Sequence, residues 1–397
     1  MTAANPASNP AVDASAERPV VAIISNAQTP YRTAVHRRID REMPEIRLVT
    51  AYTHDVSNAP WAIATTDAFE IARFGQGQHA SEGPLPRYAL REWRKGGRII
   101  QWLRQRNARA VVLEGYNDPG RLRILHWCHR HGVPCFLFAD SNIKGDHTTG
   151  AKAIVKRALL RRVIRWSTFL FPCGTLGRDY FIKYGATADR VIFYPYEPDY
   201  PRIQAAAPDH TLVPPGRRAV LFCGRLIPEK RPDMALRAFI EIAAQRPEWD
   251  MLFLGDGPLR ESLEAEVPEA VRPRIRWLGF YRDPDETYRV FKSADVLVLP
   301  SDYEPWGVVI NEAVAAGLAV VASDKVGAAA ELVRDGVNGK TFAAGNDAHL
   351  ASCLLSVTDE GRIDQLRADS ASLLAQWRSR SDPLEGLRSA MAKSSFS

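Results

Sequence analysis

An α/β chain of two domains, each a doubly wound parallel sheet, is what three observations predict. Short apolar runs alternate with helical stretches through both halves of the sequence, the pattern of parallel strands joined by crossover helices. The chain has 397 residues, where one domain takes roughly 100 to 200. A proline-rich stretch of little periodicity, PDYPRIQAAAPDHTLVPPG at 198–216, separates the halves as a linker.

The first 18 residues are rich in Ala, Pro and Ser and lack the basic start and apolar core of a secretion signal, so they read as a disordered tail. A first domain follows over 19–205. Its strands are expected at 20–25 (VVAIIS), 47–52, 110–114 (AVVLE), 134–138 (PCFLF) and 168–171, with helical stretches between them. A second domain, 215–372, opens with a buried strand at 219–223 (AVLFC), and GRLIPEKRPD places Gly224, Arg225 and Lys230 in the loop before a helix near Pro232. Further on, 295–299 (DVLVL) reads as a strand, Pro300 and Ser301 break it, and a helix runs from about Gly307 to Ala316. Residues 373–397 form a C-terminal helix and tail.

Two glutamates narrow the chemistry. Glu304 falls in the loop after the 295–299 strand and Glu312 inside the following helix. On one straight helix they would be about 12 Å apart along the axis, beyond the roughly 5 to 9.5 Å of a glycosidase carboxylate pair, so they should do different jobs. The helix start offers unpaired N–H groups, and Gly307 has no side chain to keep an anion from the amides of Gly307, Val308 and Val309. A phosphate seated there, with hydroxyl-bearing rings on either side, would meet Glu304 at one end and Glu312 at the other. Upstream, Arg225 and Lys230 follow a buried strand, where open parallel sheets bind ligands, and could neutralise a diphosphate. Taken alone, each of these side chains reads as a solvated charge; the shared context reverses that and favours a nucleotide-sugar site.

GRLIPEK, MLFLGDGPLR, IRWLGFYRD, ADVLVLPSDYEPWGVVINEAVAAGLAVVAS and VGAAAELVRDGVNGKTF, in this order, cover nearly all of 219–342. Together they resemble the group 1, or family four, retaining glycosyltransferases of GT-B architecture. The resemblance implies two Rossmann-like domains facing a cleft, with the helix around Gln365 to Arg378, or the helix and tail of 373–397, crossing back to the first domain. It implies that Gly224, Arg225 and Lys230 hold the donor diphosphate, that Glu304 contacts the transferred sugar, and that Glu312 holds the ribose hydroxyls. Gly307, Val308 and Val309 would support phosphate and sugar, and Phe280 with Tyr281 would face the base. Gly257, with Gly255, resembles a family loop at the same cleft; a tight strand-to-helix turn is the other reading. The donor would be a UDP- or GDP-sugar, the acceptor a saccharide or lipid-linked saccharide, and the pathway bacterial surface polysaccharide or glycolipid synthesis. No cofactor is implied.

The first domain should supply the acceptor side. SNAQTPYR after the first strand would bring Asn26, Gln28, Tyr31 and Arg32 to the cleft mouth, with Thr29 and Pro30 as helix cap and first position. Where the family often carries a histidine, FLFADSN places Asp140, which could meet acceptor or sugar or serve in a turn. Glu114 is a further cleft candidate. Residues 151–166 carry six Lys and Arg and no acid, a run suited either to an anionic bilayer or to an ordinary solvated helix; no aromatic platform accompanies it for nucleic acid. The net charge of +6 is mild. The five cysteines show no metal or redox spacing and read as thiols of a reducing, cytoplasmic compartment. Asp283-Pro284-Asp285 has a manganese-like spacing, but it precedes a helix and reads as an N-cap, and no metal is expected. A nucleotide-sugar epimerase or hydrolase and a noncatalytic nucleotide-sugar-binding subunit share the architecture and stay open.

Overall fold

Strands buried on both faces build two sheets, each parallel throughout. The structure, a computed structural model, describes residues 18–55, 69–78 and 86–394, so the N-terminal tail expected over 1–18 lies outside the described residues except for Arg18. In the first domain β1 (Val20–Ser25), β2 (Arg47–Tyr52), β3 (Glu70–Arg73), β4 (Ala108–Glu114), β5 (Cys135–Ala139) and β6 (Phe169–Pro172) lie in the order β3-β2-β1-β4-β5-β6. In the second, β7 (Arg218–Cys223), β8 (Trp249–Leu254), β9 (Ile275–Gly279), β10 (Val296–Leu299), β11 (Ala319–Ser323) and β12 (Gly339–Phe342) lie in the order β12-β11-β10-β7-β8-β9. Read outward from the first strand of each half, the two orders are the same. Each sheet is a Rossmann-like unit whose strand order reverses beside its first strand, between β1 and β4 and between β7 and β10. Helices cover both faces, which is why β1 and β10 are buried along their whole length and read as near-continuous apolar runs rather than alternating.

β3 has no counterpart among the expected strands. It is an edge strand, and in EIAR only the two central residues are partly covered, so neither an apolar run nor a clean alternation marks it.

The chain crosses between the domains twice. At the join, the helix Tyr200–Ala205 packs on the helices Pro284–Ser293 and Val308–Ala316, so 200–205, which the sequence groups with the first domain, belong by contact to the second. Buried Tyr200 and Ile203 give that short segment an apolar face that its prolines concealed. On the return, the helix Ile363–Arg378 stays on the second domain, where Trp377 stacks on Trp306 with ring centroids 5.9 Å apart. The element that reaches the first domain is instead the next one. Asp382 caps its start by accepting from the Leu384 amide at 2.8 Å, and Pro383–Lys393 packs on the helix Pro30–Glu42. Gly386 lets the backbones meet, because a Cβ there would lie 2.3 Å from the Phe193 carbonyl oxygen. Arg38 on Pro30–Glu42 pairs with Glu197 at the first crossing and with Asp382 at the second, and Arg378 also reaches Glu197.

Candidate functional site at the facing switch points

The loops that leave β7 and β10 start side by side, because these strands are neighbours at the switch point of the second sheet. Lys230 Nζ on the first loop pairs with Glu304 Oε1 on the second, both largely covered. Ser301 Oγ donates to the same oxygen at 3.3 Å. The Asp302 amide donates to the Glu229 carbonyl at 3.0 Å, and Arg231 pairs with Asp302, so backbone and side chains fasten the loops together. The pair is thus prearranged, with the lysine charge held by the carboxylate until an anion competes for it.

Arg225 is exposed, and among the described residues no ion pair or hydrogen bond engages its side chain. Its loop is positioned by backbone contact rather than by its side chain. The Leu226 amide donates to the Asp256 carbonyl at 2.9 Å, and Cβ atoms added to Gly255 and Gly257 would lie 1.9 Å from the Gly224 oxygen and 2.4 Å from the Leu226 oxygen. Gly255 also has φ +140°, a conformation side chains resist. Gly257 therefore acts through packing: it lets the β8 loop press against the Arg225 loop. Gly255→Ala should displace that loop and destabilise the protein by about 1 to 3 kcal/mol with little change in the circular dichroism spectrum of the folded state, which thermal melts would measure.

The helix Val308–Ala316 begins at Gly307, whose φ of +88° turns the chain into the helix. The first-turn amides, among them Val308 and Val309, lack intrahelical acceptors, as at any helix start. From behind, Trp306 fixes the turn: its ring N–H donates to Asn311 Oδ1 at 2.9 Å, and Asn311 Nδ2 donates to the Tyr200 hydroxyl at 2.9 Å, all in the core. Glu312 leaves this helix partly covered and, among the described residues, with no cation beside it, so burial pushes its carboxyl up to about 8. Its charge bears on the Cys223 thiol, the last residue of β7, and on the Tyr288 hydroxyl. Glu312 therefore sits beside the strand end from which Gly224 and Arg225 depart. Phe280 and Tyr281 follow β9, and the Gly255 amide donates to the Gly279 carbonyl at 2.8 Å, which brings that segment against the glycine loop.

The first domain presents its own switch point. A cavity of about 230 Å³ is lined by Asn26, Arg32, Glu114, Tyr116, Asp140 and Tyr196 among others. Arg32 Nε donates to Glu114 Oε2 at 2.7 Å and Arg32 Nη2 to the Tyr196 hydroxyl at 3.4 Å; that hydroxyl donates to Asp140 Oδ2 at 3.3 Å. Burial raises the Asp140 carboxyl above its usual range, against the pull of Arg32. Asp140 thus faces the cavity and caps no helix. Of the SNAQTPYR residues, Asn26 and Arg32 line the cavity and Tyr31 packs edge-on against Tyr196 at 5.0 Å, whereas Gln28 is buried and held by Arg73. Thr29 precedes the helix without capping it, its hydroxyl buried and unpartnered, while Pro30 takes the first position.

The two halves meet here. Asn142 Nδ2 donates to the Pro305 carbonyl at 2.8 Å, next to Glu304, and a Cβ on Gly145 would strike the Tyr303 ring. Burial and then Asp140 from the first domain raise the Tyr303 hydroxyl, and Glu304 from its own loop adds to them. Asp140 and Glu304 thus both act electrostatically on one hydroxyl, one from each domain. Elsewhere on the seam, Glu331 accepts from the amide and hydroxyl of Thr175 at 2.7 and 2.6 Å. Tyr196 and Tyr303 escaped the sequence reading: Tyr196 joins Arg32 and Asp140 from far along the same domain, and Tyr303 gains its place only through the approach of the other domain.

Other candidates take structural places. Asp283 accepts from the Asp285 amide at 3.0 Å as an N-cap, and Asp285 pairs with Arg202. All five cysteines are free, with Cys223 partly covered and the rest buried. Among the described residues no helix is long and apolar enough to cross a membrane.

Residues 217–360 match the family model for glycosyl transferases group 1. A D-inositol 3-phosphate glycosyltransferase of Rhodococcus jostii is 30% identical over 288 residues, covering 65% of this chain and 63% of its own length. Matches to the curated relatives span from 31% to 63% of those proteins' lengths. Among solved structures, the Anabaena Alr3699/HepE protein in complex with UDP superposes with a TM-score of 0.67 at 15% identity, covering 94% of this chain and 98% of that one. Sucrose-phosphate synthase from Thermosynechococcus elongatus superposes with a TM-score of 0.73, also at 15% identity, covering 95% and 100%. At such identity these likenesses concern the fold: two Rossmann-like domains in the GT-B arrangement.

Proposed function

We propose, from the premise that residues 217–360 belong to the group 1 glycosyl transferases, that this protein moves a sugar from a nucleoside diphosphate donor to a hydroxyl acceptor. The observation that carries the reading is the Lys230–Glu304 pair at the facing ends of β7 and β10, flanked by unpaired Arg225 and Glu312 and opposed by Asp140. The donor is a UDP- or GDP-sugar; the HepE structure, which contains UDP, supports the former. The diphosphate lies between Arg225, Lys230 and the amides of Gly307 to Val309, the ribose against Glu312, and the base toward Phe280.

When the diphosphate arrives it takes the ammonium of Lys230, and Glu304, relieved of its partner, accepts hydrogen bonds from the sugar hydroxyls. The bond from the anomeric carbon to the diphosphate oxygen breaks with its electron pair on that oxygen. Lys230, Arg225 and the helix amides stabilise the growing charge more in the transition state than before it. The acceptor oxygen bonds to the same carbon from the same face, which retains configuration, and its proton passes to the departing phosphate oxygen. Asp140 with the Arg32–Tyr196 network orients the acceptor. These cations do the work of a divalent metal, so the reaction should run in the presence of a chelator. The acceptor is a saccharide or lipid-linked saccharide at the cytoplasmic side of a membrane.

Incubation with a panel of UDP- and GDP-sugars tests this. Raised melting temperature with one donor, and nucleotide release at least tenfold faster once acceptor extract is added, are expected. Release at the same rate without acceptor would instead indicate a hydrolase or epimerase.

A further inference from the structure

We propose that one face of the first domain, made by the helices Pro86–Gln105, Pro119–Arg130 and Gly150–Trp166, rests on an anionic lipid bilayer. The three helices lie side by side on the same side of the sheet, burying Leu103, Ile124 and Val163 among others against it. Six of their 20, three of their 12 and six of their 17 residues are Lys or Arg, against a single acid, Glu92. That acid is buried and pairs with Lys95, and Arg121 is likewise buried with Asp118, so neither offsets the outward charge. A chain whose whole net charge is +6 thus concentrates its excess on one face, and charge of that density is attracted to an anionic leaflet.

Apolar side chains decide the partner. Ile154 is 73% and Val155 69% exposed, in the first two turns of Gly150–Trp166, with Leu159 one turn on. A groove of about 430 Å³ between the other two helices is lined by Trp93, Trp127, Arg104 and Arg123, with Arg123 over the Trp93 ring at 4.7 Å. Tryptophan and arginine together suit the headgroup level, and exposed aliphatics gain by entering lipid. Nucleic-acid phosphates would use the cations and leave Ile154 and Val155 in water. Among the cations of Gly150–Trp166 Lys156 is the exception, turned inward to Asp146.

The face also has a direction. Gly150–Trp166 starts on the cleft side, just after Asn142 and Gly145 touch the second domain, and Ile154 lies about 6 Å along the helix from Gly150. A lipid-linked acceptor anchored there would have its sugar close to Asp140. That delivery rests on the transferase reading, whereas the docking does not.

Flotation with vesicles of phosphatidylglycerol and phosphatidylcholine tests the docking. The protein should float with the mixed vesicles at low salt, not with phosphatidylcholine alone, and less at high salt. Arg161→Glu with Arg162→Glu and Arg165→Glu should cut binding at least tenfold. Ile154→Ser with Val155→Ser should cut it severalfold while leaving retention on heparin unchanged. Calorimetric titration with UDP and GDP reports, for every variant, whether fold and donor site persist, so a failure of docking is separable from a failure of the chemistry. Absence of flotation at low salt, or vesicle binding unaffected by the serine variant, would overturn the proposal, the latter pointing to a polyanion such as nucleic acid.

Discussion

Lys230→Ala should lower kcat/KM for transfer by at least tenfold and toward the roughly 100- to 1000-fold typical of a lost donor to a developing oxyanion. The protein should still fold. Lys230 is tied to Glu304 rather than to the core, and the two loops keep their backbone bond from Asp302 to Glu229. The loss has two parts. The departing diphosphate loses a cation, and Glu304, which in the free protein is held by that cation and by Ser301, is left a charge without its partner near the incoming phosphates. Lys230→Arg should recover only part of the rate, since a planar fork does not reproduce a compact ammonium at one carboxylate oxygen. Arg225→Ala should cost at least tenfold, and as the exposed Arg225 side chain makes no ion pair or hydrogen bond among the described residues, the melting temperature should barely move. Wild-type turnover in Lys230→Ala, on the true acceptor and with saturating donor, would remove the pair from the mechanism.

Glu312→Gln should make the ligand-free protein more stable and its nucleotide binding weaker. Burial pushes the Glu312 carboxyl up to about 8, against about 4.3 in an unfolded chain. Below about pH 4 the carboxyl is protonated in both states and costs nothing. As pH rises, the unfolded chain gives up its proton while the folded protein keeps it, so this residue's contribution to stability falls until about pH 8 and then levels off. Replacing it with the neutral amide should therefore stabilise by on the order of 1 to 3 kcal/mol at pH 8, and by progressively less toward pH 5. Thermal melts of both proteins across that range would measure it. A carboxylate that destabilises its own helix without a ligand is intelligible if a ligand supplies hydroxyl donors. Nucleotide affinity in Glu312→Gln should drop about tenfold, and binding to the wild type near neutral pH should release a proton. A pH-independent stability difference would mean that the carboxyl is solvated after all.

The sheets were legible because their strands are continuous apolar runs: VVAIIS and DVLVL need only a length and a breaker to be recognised. β3 was not, since an edge strand carries no such run. The positions of the second-domain candidates were legible for a related reason. Arg225, Lys230, Glu304 and Glu312 each sit within a few residues of a strand end or helix start, so local chain geometry already fixes where they emerge. The first-domain cluster depends on distant approach. Tyr196 lies far along the chain from Arg32 and Asp140 yet joins them through its hydroxyl, and Tyr303 becomes part of the site only because Asn142 and Gly145 come up to it. Within 373–397 it is Pro383–Lys393 that returns to the first domain, and the helix around Gln365 to Arg378 does not, for a similar reason. Trp377 belongs to a stack with Trp306 that periodicity alone does not reveal, and it keeps Ile363–Arg378 at home.

Two peptide segments span the domains, and Arg38 clasps both at Glu197 and Asp382. A body tethered at two adjacent places cannot slide past its neighbour; it can only swing about the line that joins them. Opening to admit a donor therefore should be a single-axis pivot that parts Asn142 from Pro305 and Thr175 from Glu331 while Arg38 barely moves.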